Sequence, residues 1–109
     1  MIRAHKLKTW PEPFFAVERE KKTCELRKAD RDFKVGDFLM LLEFDPARDR
    51  FTGRYLCREI THVHRPEDVP RGLLEGFVIL SIFPCDRIFE AALLGEGGMS
   101  IPSVTWIKP

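Results

Sequence analysis

Read for alternation alone, the chain opens with a short strand: His5 to Thr9 turns Leu7 inward and sets Lys6 and Lys8 on the other parity. Trp10-Pro11-Glu12-Pro13 breaks that strand and opens a helix, because proline is tolerated in a first turn that needs no backbone donor. Phe14, Phe15 and Val17 supply the stripe this helix buries, while Glu18, Arg19 and Glu20 face water. Thr23 to Lys28 alternates cleanly, with Cys24 and Leu26 on one face, read as the buried one, and Thr23, Glu25 and Arg27 on the other. Gly36-Asp37 predicts a turn, and the FLMLLEF run after it, too short for a good helix, a buried strand. Asp45-Pro46 through Thr52-Gly53 predicts a loose hairpin that returns as a long strand, Arg54 to His64. Residues 65–75 read as a loop with a helical turn. Phe77 to Phe83, apolar on both parities, reads as a central strand, and Ile88 to Leu94 as a short amphipathic helix ending at Gly95. The closing SIPSVTWIKP adds an edge strand or packs Trp106 on the body.

Strand, helix, then mostly strands predicts an α+β fold whose sheet curls into a small barrel, with one N-terminal helix and a short C-terminal helix or extension. A chain of 109 residues holds one domain, 1–109, with its core at 5–83 and an extension over 84–109. Nine Phe, two Trp and a hydrophobic content of 44% supply the bulk for that core. No apolar run approaches a membrane span and no signal peptide opens the chain, so no membrane partner is expected. Three widely spaced cysteines, Cys24, Cys57 and Cys85, argue against a disulfide framework and for a reducing, cytoplasmic setting.

A net charge of +1 excludes a protein that coats nucleic acid by bulk electrostatics, so an anion must be held by a local cluster. Ionisable groups crowd into EKKTCELRKADRDFKVGD, residues 20–37. There Glu25 and Arg27 share a strand face, and Lys22 stands at the helix-to-strand junction with a stem long enough to reach it. Glu25 would orient both cations. Arg27 offers a planar fork for phosphate or carboxylate, and Lys22 a point charge or a base. A solvent-facing ion network worth little is the competing reading. Asp30 or Asp32 caps a turn, or Arg31 extends the cationic wall. Lys8 and Trp10 pair a cation with a flat aromatic, as a nucleobase and its phosphate require, with Trp10 as core filler the alternative. His62 and His64 share a strand face without a third ligand at an obvious spacing, so no metal and no cofactor is expected, although His5 could approach in space. Cys24 reads as an inert core thiol, Ser81 lacks a nucleophile elbow, and Gly95, Gly97 and Gly98 do not space a phosphate loop.

Lys22-x-x-Glu25-x-Arg27, followed by Lys28-x-Asp30-Arg31-Asp32-Phe33 and Val35-Gly36-Asp37, resembles the ASCH superfamily, a branch of the PUA-like fold, and within it the small bacterial and phage ASCH-like proteins of undefined function. The likeness runs in order through His5, Leu7 and Lys8, Trp10-Pro11, Glu25 to Lys28, Asp45-Pro46 to Thr52-Gly53, and Phe77 to Ile82. It covers residues 5 to 83. Where the family pattern has glycine two residues before the lysine, Glu20 stands, which predicts a helix that runs on or ends differently. The resemblance implies a cleft between a PUA-like barrel and the helix, lined by Lys22, Glu25 and Arg27, and an RNA or nucleotide ligand. The ligand-binding set is then Lys8, Trp10, Arg27, Asp30 and Arg31. Lys22 and Glu25 are the catalytic pair of the alternative, a metal-independent ribonuclease or a nucleoside amidohydrolase. The amidohydrolase pattern uses a Lys, a Thr and a distant Glu; Lys22 matches the first, but Glu25 stands in place of the Thr. A third reading makes the tail, with Met99, Ile101, Val104 and Trp106, a protein-interaction surface.

Overall fold

The computed structural model describes residues 2–98 and 103–109. Its elements are β1 (Ile2–Thr9), α1 (Pro11–Glu18), β2 (Cys24–Lys28), β3 (Phe38–Asp45), β4 (Arg50–His64), β5 (Phe77–Pro84), α2 (Arg87–Leu93) and β6 (Val104–Trp106). The strands form one mixed sheet in the order β2-β5-β4-β3-β1-β6. β1 runs parallel to β3 and β6, and the other neighbours are antiparallel.

Period-two alternation gives this sheet two buried faces. Leu39 and Leu41 of β3 join Leu7, Val17, Phe33, Ile60, Val78, Leu80 and Ile82 in one cluster. Met40, between them on the opposite face, packs with Ala4, Cys57 and Leu93, extended by Phe89 and Trp106. Burial of each large apolar side chain contributes about 1.5–3 kcal/mol, so α1 and α2 are held by the sheet faces rather than by their own propensity, being far too short to persist alone.

The barrel predicted from the sequence does not form. The sheet is open: β2 is one edge, and β1, fifth in the order, is not hydrogen-bonded to it. Nor are the helices terminal, since β1 precedes α1 and β6 follows α2. The reason for the missing ladder lies on β1. Ala4 O accepts from Ile107 N on the β6 side, and by strand alternation Lys6 O and Lys8 O point out along that same edge, beyond the last residue of β6 that pairs with β1. Side chains take these carbonyls instead of a strand. Arg31 Nη1 donates to Lys6 O at 3.3 Å and Arg27 Nη1 to Lys8 O at 3.1 Å.

Local chemistry sets the remaining corners. Helix α1 ends in a Schellman turn, with Lys21 N on Ala16 O at 2.9 Å and Glu20 N on Val17 O at 3.0 Å. Glu20 therefore adopts φ +58°, the left-handed conformation that glycine prefers, and the helix does not run on. The β3–β4 hairpin is tighter than predicted: Asp45 pairs with Arg50, leaving a four-residue turn over 46–49. Opposite Glu43 the register shifts, and Gly53 sits there at φ +93°. Phe15, expected inside with Phe14 and Val17, is instead exposed beneath the guanidinium groups of Arg54 and Arg19.

Candidate ligand-binding site

The site is the gap between β1 and β2, which do not pair with each other. β2 carries its faces the other way round from the expectation: Glu25 is buried at 3% exposure, whereas Leu26 is 61% exposed and Cys24 is exposed rather than a core thiol. β2 is an edge strand whose inward face looks across the gap toward polar groups, so apolarity there is a poor guide to burial.

Glu25 is held by both of its oxygens. Lys22 Nζ donates to Oε1 at 2.5 Å and Arg27 Nε to Oε2 at 2.9 Å. The Schellman turn reverses the chain and brings Lys22 back over β2, where it also donates to Cys24 O. Beyond Glu25, Arg27 reaches across the gap: Nη1 bonds Lys8 O, and Nη2 bonds Thr9 Oγ1 at 3.2 Å. Three of its five N–H groups are so used and two remain, as does one of the three on Lys22. These cations are only partly covered, with side-chain exposures of 32% for Lys22 and 23% for Arg27.

Together Lys8, Thr9, Trp10, Pro13, Lys22, Glu25, Leu26 and Arg27 line a cleft of about 310 Å³. Trp10 stands at its rim, 59% exposed, at the N-cap of α1 but without a side-chain capping bond. Lys8 places its ammonium 4.1 Å from the Phe44 ring centroid. Asp30 and Arg31 do not share this cleft. They line an adjoining one of about 260 Å³ with Lys6, Lys28 and Phe33, and Lys8 and Arg27 border both. Arg31 is tied to Asp30 Oδ1 at 3.1 Å and lies over Phe33. Across the two clefts six cations face two carboxylates, an excess of four on a chain whose net charge is +1.

Sequence reasoning missed a second polar cluster behind this wall. Asp37, in the predicted turn, is buried and accepts from Arg3 Nε at 2.9 Å, His5 Nε2 at 2.7 Å and Lys34 N at 3.0 Å. Burial alone would raise its pKa, but these donors outweigh that and hold it below the usual carboxylate range. Burial pushes His5 below the usual imidazole range despite the pull of Asp37, which fits a neutral ring donating from Nε2 with Nδ1 unpartnered. His5 is thus committed to Asp37 and does not join the strand histidines. His62 and His64 sit with ring centroids 4.4 Å apart, and among the described residues no three His, Cys, Asp or Glu side chains gather to hold a metal. Arg58, also missed, is buried and donates to Val17 O and Cys57 O.

In the tail, Val104 and Trp106 are paired with β1 and packed against the second core cluster, not offered as an exposed surface; Met99 and Ile101 lie outside the described residues. Among the described residues no helix is long and apolar enough to cross a membrane.

The chain is 36% identical over 80 residues to the "Uncharacterized 12.9 kDa protein in GpA 3'region" of Escherichia phage P2, a stretch that covers 73% of this chain and 68% of the phage protein. Residues 4–82, which contain both clefts and every strand but β6, the start of β1 and the end of β5, match a family profile, and the chain belongs to that family, described as Domain of unknown function (DUF3850).

Proposed function

We infer that the gap between β1 and β2 binds a nucleotide or a short single-stranded RNA. The observation that carries this reading is Trp10, an indole 59% exposed at the rim of a cleft whose two inner cations are held in place by a buried carboxylate. An exposed tryptophan with no capping bond adds little to the fold, whereas a flat aromatic beside cations suits a base stacked next to its phosphate. In this reading Lys22 and Arg27 take the phosphate with their remaining N–H groups, Trp10 takes the base, and Lys8 and Arg31 carry the charge into the adjoining cleft. The ordered motifs that resemble the ASCH superfamily support the same ligand class, and a cytoplasmic setting fits it.

Turnover has less support. Both oxygens of Glu25 already accept from cations, so it serves as a positioning residue, and the Lys22 ammonium is shared between Glu25 and a backbone carbonyl. Titration of adenosine, cytidine, guanosine and uridine monophosphates and of a short oligouridylate, followed by calorimetry and tryptophan quenching, tests the proposal. Weak binding with a shallow salt dependence, in keeping with a few phosphate contacts, is expected, and Trp10→Ala and Arg27→Ala should each lose it. Binding of any of these ligands undiminished in both variants would place the ligand elsewhere, and no binding at low salt would end the proposal.

A further inference from the structure

We propose that Cys57 and Cys85 form a dithiol modification site that small-molecule disulfides oxidise reversibly to an intrachain disulfide. The fold brings together two cysteines that the sequence leaves far apart. The β4–β5 register sets Arg58 opposite Pro84, so the next pair outward is Cys57 with Cys85, and Cys85 N donates to Cys57 O at 3.4 Å. Their sulfurs stand 2.8 Å apart, a gap that closes to a covalent bond with a movement of about 0.8 Å.

The two thiols are not equivalent. Cys57 is fully buried and donates its S–H to Cys85. That hydrogen bond, and burial after it, raise its pKa, so Cys57 keeps its proton in the reduced protein. Cys85 is half-buried and opens onto a cleft of about 380 Å³ beside Arg58, Arg87 and Glu90, within reach of a reagent. Cys85 is therefore the entry thiol and Cys57 the resolving one.

The chemistry is thiol–disulfide exchange. The Cys85 thiolate attacks one sulfur of RSSR, the RS–SR bond breaks, a mixed disulfide forms and RS⁻ departs. Cys57 then gives up its proton and attacks the Cys85 sulfur, forming the Cys57–Cys85 bond and expelling the second RS⁻. The two thiol protons finish on two RSH; the protein loses two electrons and the reagent gains them. The bond ties β4 to the segment entering α2, which Glu90 Oε2 already holds through Cys57 N at 2.8 Å.

The test uses Cys24→Ser protein, which removes the exposed third thiol, equilibrated in mixtures of reduced and oxidised glutathione, quenched in acid, alkylated and weighed by mass spectrometry. The expected product has lost two hydrogens and carries no glutathione. Half-closure should need a glutathione mixture about tenfold or more richer in the reduced form than for the same protein unfolded in urea. The closed form should melt about 6 °C or more above the reduced form. Adding Cys57→Ser should trap glutathione on Cys85. A chain that stays reduced, one that stops at a Cys85 adduct with Cys57 present, or closure no easier than in urea would overturn the proposal. These measurements on Cys24→Ser protein stand even should the Cys57 variant fail to fold.

Discussion

Arg27→Ala is the sharpest probe of the gap, because one side chain makes three bonds there, two of them across it. The bond to Glu25 is charge-assisted and partly buried, worth about 1.5–3 kcal/mol, and those to Lys8 O and Thr9 Oγ1 about 0.5–1.5 kcal/mol each. Discounts apply. Arg27 is 23% exposed, Lys8 O can rehydrate, and Glu25 keeps Lys22. The net loss should be about 2–3 kcal/mol, against a total stability of roughly 5–16 kcal/mol for a chain of this length. In urea, with a slope of about 1.5 kcal/mol per molar, the midpoint should fall by about 1.3–2 M. Arg27→Lys keeps the charge but not the fork and should lose about half as much. A double-mutant cycle with Glu25→Ala should return a coupling of about 1–2 kcal/mol. A midpoint shift below about 0.3 M, with no coupling to Glu25, would show that the guanidinium is an ordinary solvated group and that the gap is held by something else.

Trp10→Ala should change stability by less than about 0.5 kcal/mol, since the indole is mostly exposed and makes no cap bond; nucleotide affinity should nonetheless fall by about 1–3 kcal/mol, read by calorimetry. Glu20→Gly should stabilise by about 0.5–1 kcal/mol, raising the melting temperature, because it relieves a left-handed glutamate at φ +58° without touching the Schellman bonds. Stability should also fall on acidification in two stages. His5, with its pKa depressed in the folded state, makes the unfolded chain bind the proton first, so stability drops once pH passes below about 6.5, and His5→Gln should flatten that stage. Asp37, depressed as well, contributes stability that is present above about pH 4 and lost as pH falls through its folded value. Urea midpoints that do not move between pH 7 and pH 5 would contradict the first stage.

Much of the element order was legible because it follows local pattern. The short apolar runs of β3 and β5 and the proline-opened helix α1 each follow from a few consecutive residues. What was not legible is which strands meet. The separation of Glu25 and Arg27 from Cys24 and Leu26 was plain in the alternation, yet the face that is buried depends on what lies across from β2. There the partner is a strand edge bridged by side chains instead of an apolar layer. The approach of Lys22 to Glu25 was legible from its place at the helix-to-strand junction, but not the Schellman turn that delivers it, because a glutamate occupies the position where glycine would signal it. Asp37, His5 and Arg3 were invisible as a cluster for a related reason: two come from one strand and one from a distant turn, and pattern within either says nothing of the other.

The open gap and the charge run explain each other. Had β2 paired directly with β1, its backbone amides would have satisfied Lys6 O and Lys8 O at the ladder spacing of about 4.8 Å, leaving no room for a ligand between the strands. Spanning the distance with Arg27 and Arg31 holds the strands apart and puts guanidinium groups where a ladder would be. Those groups need a counter-charge when no ligand is bound, which Glu25 and Asp30 supply. On the proposed reading, a phosphate entering the cleft would meet cations already oriented and already partly desolvated, so less ordering entropy would be lost on binding. The same economy would limit affinity, because Glu25, buried beside the cations, would repel an arriving anion. Glu25→Gln should therefore separate the two effects: if positioning dominates, nucleotide binding weakens despite the added positive charge, and tighter binding would mean that Glu25 acts chiefly as a competitor for its own cations.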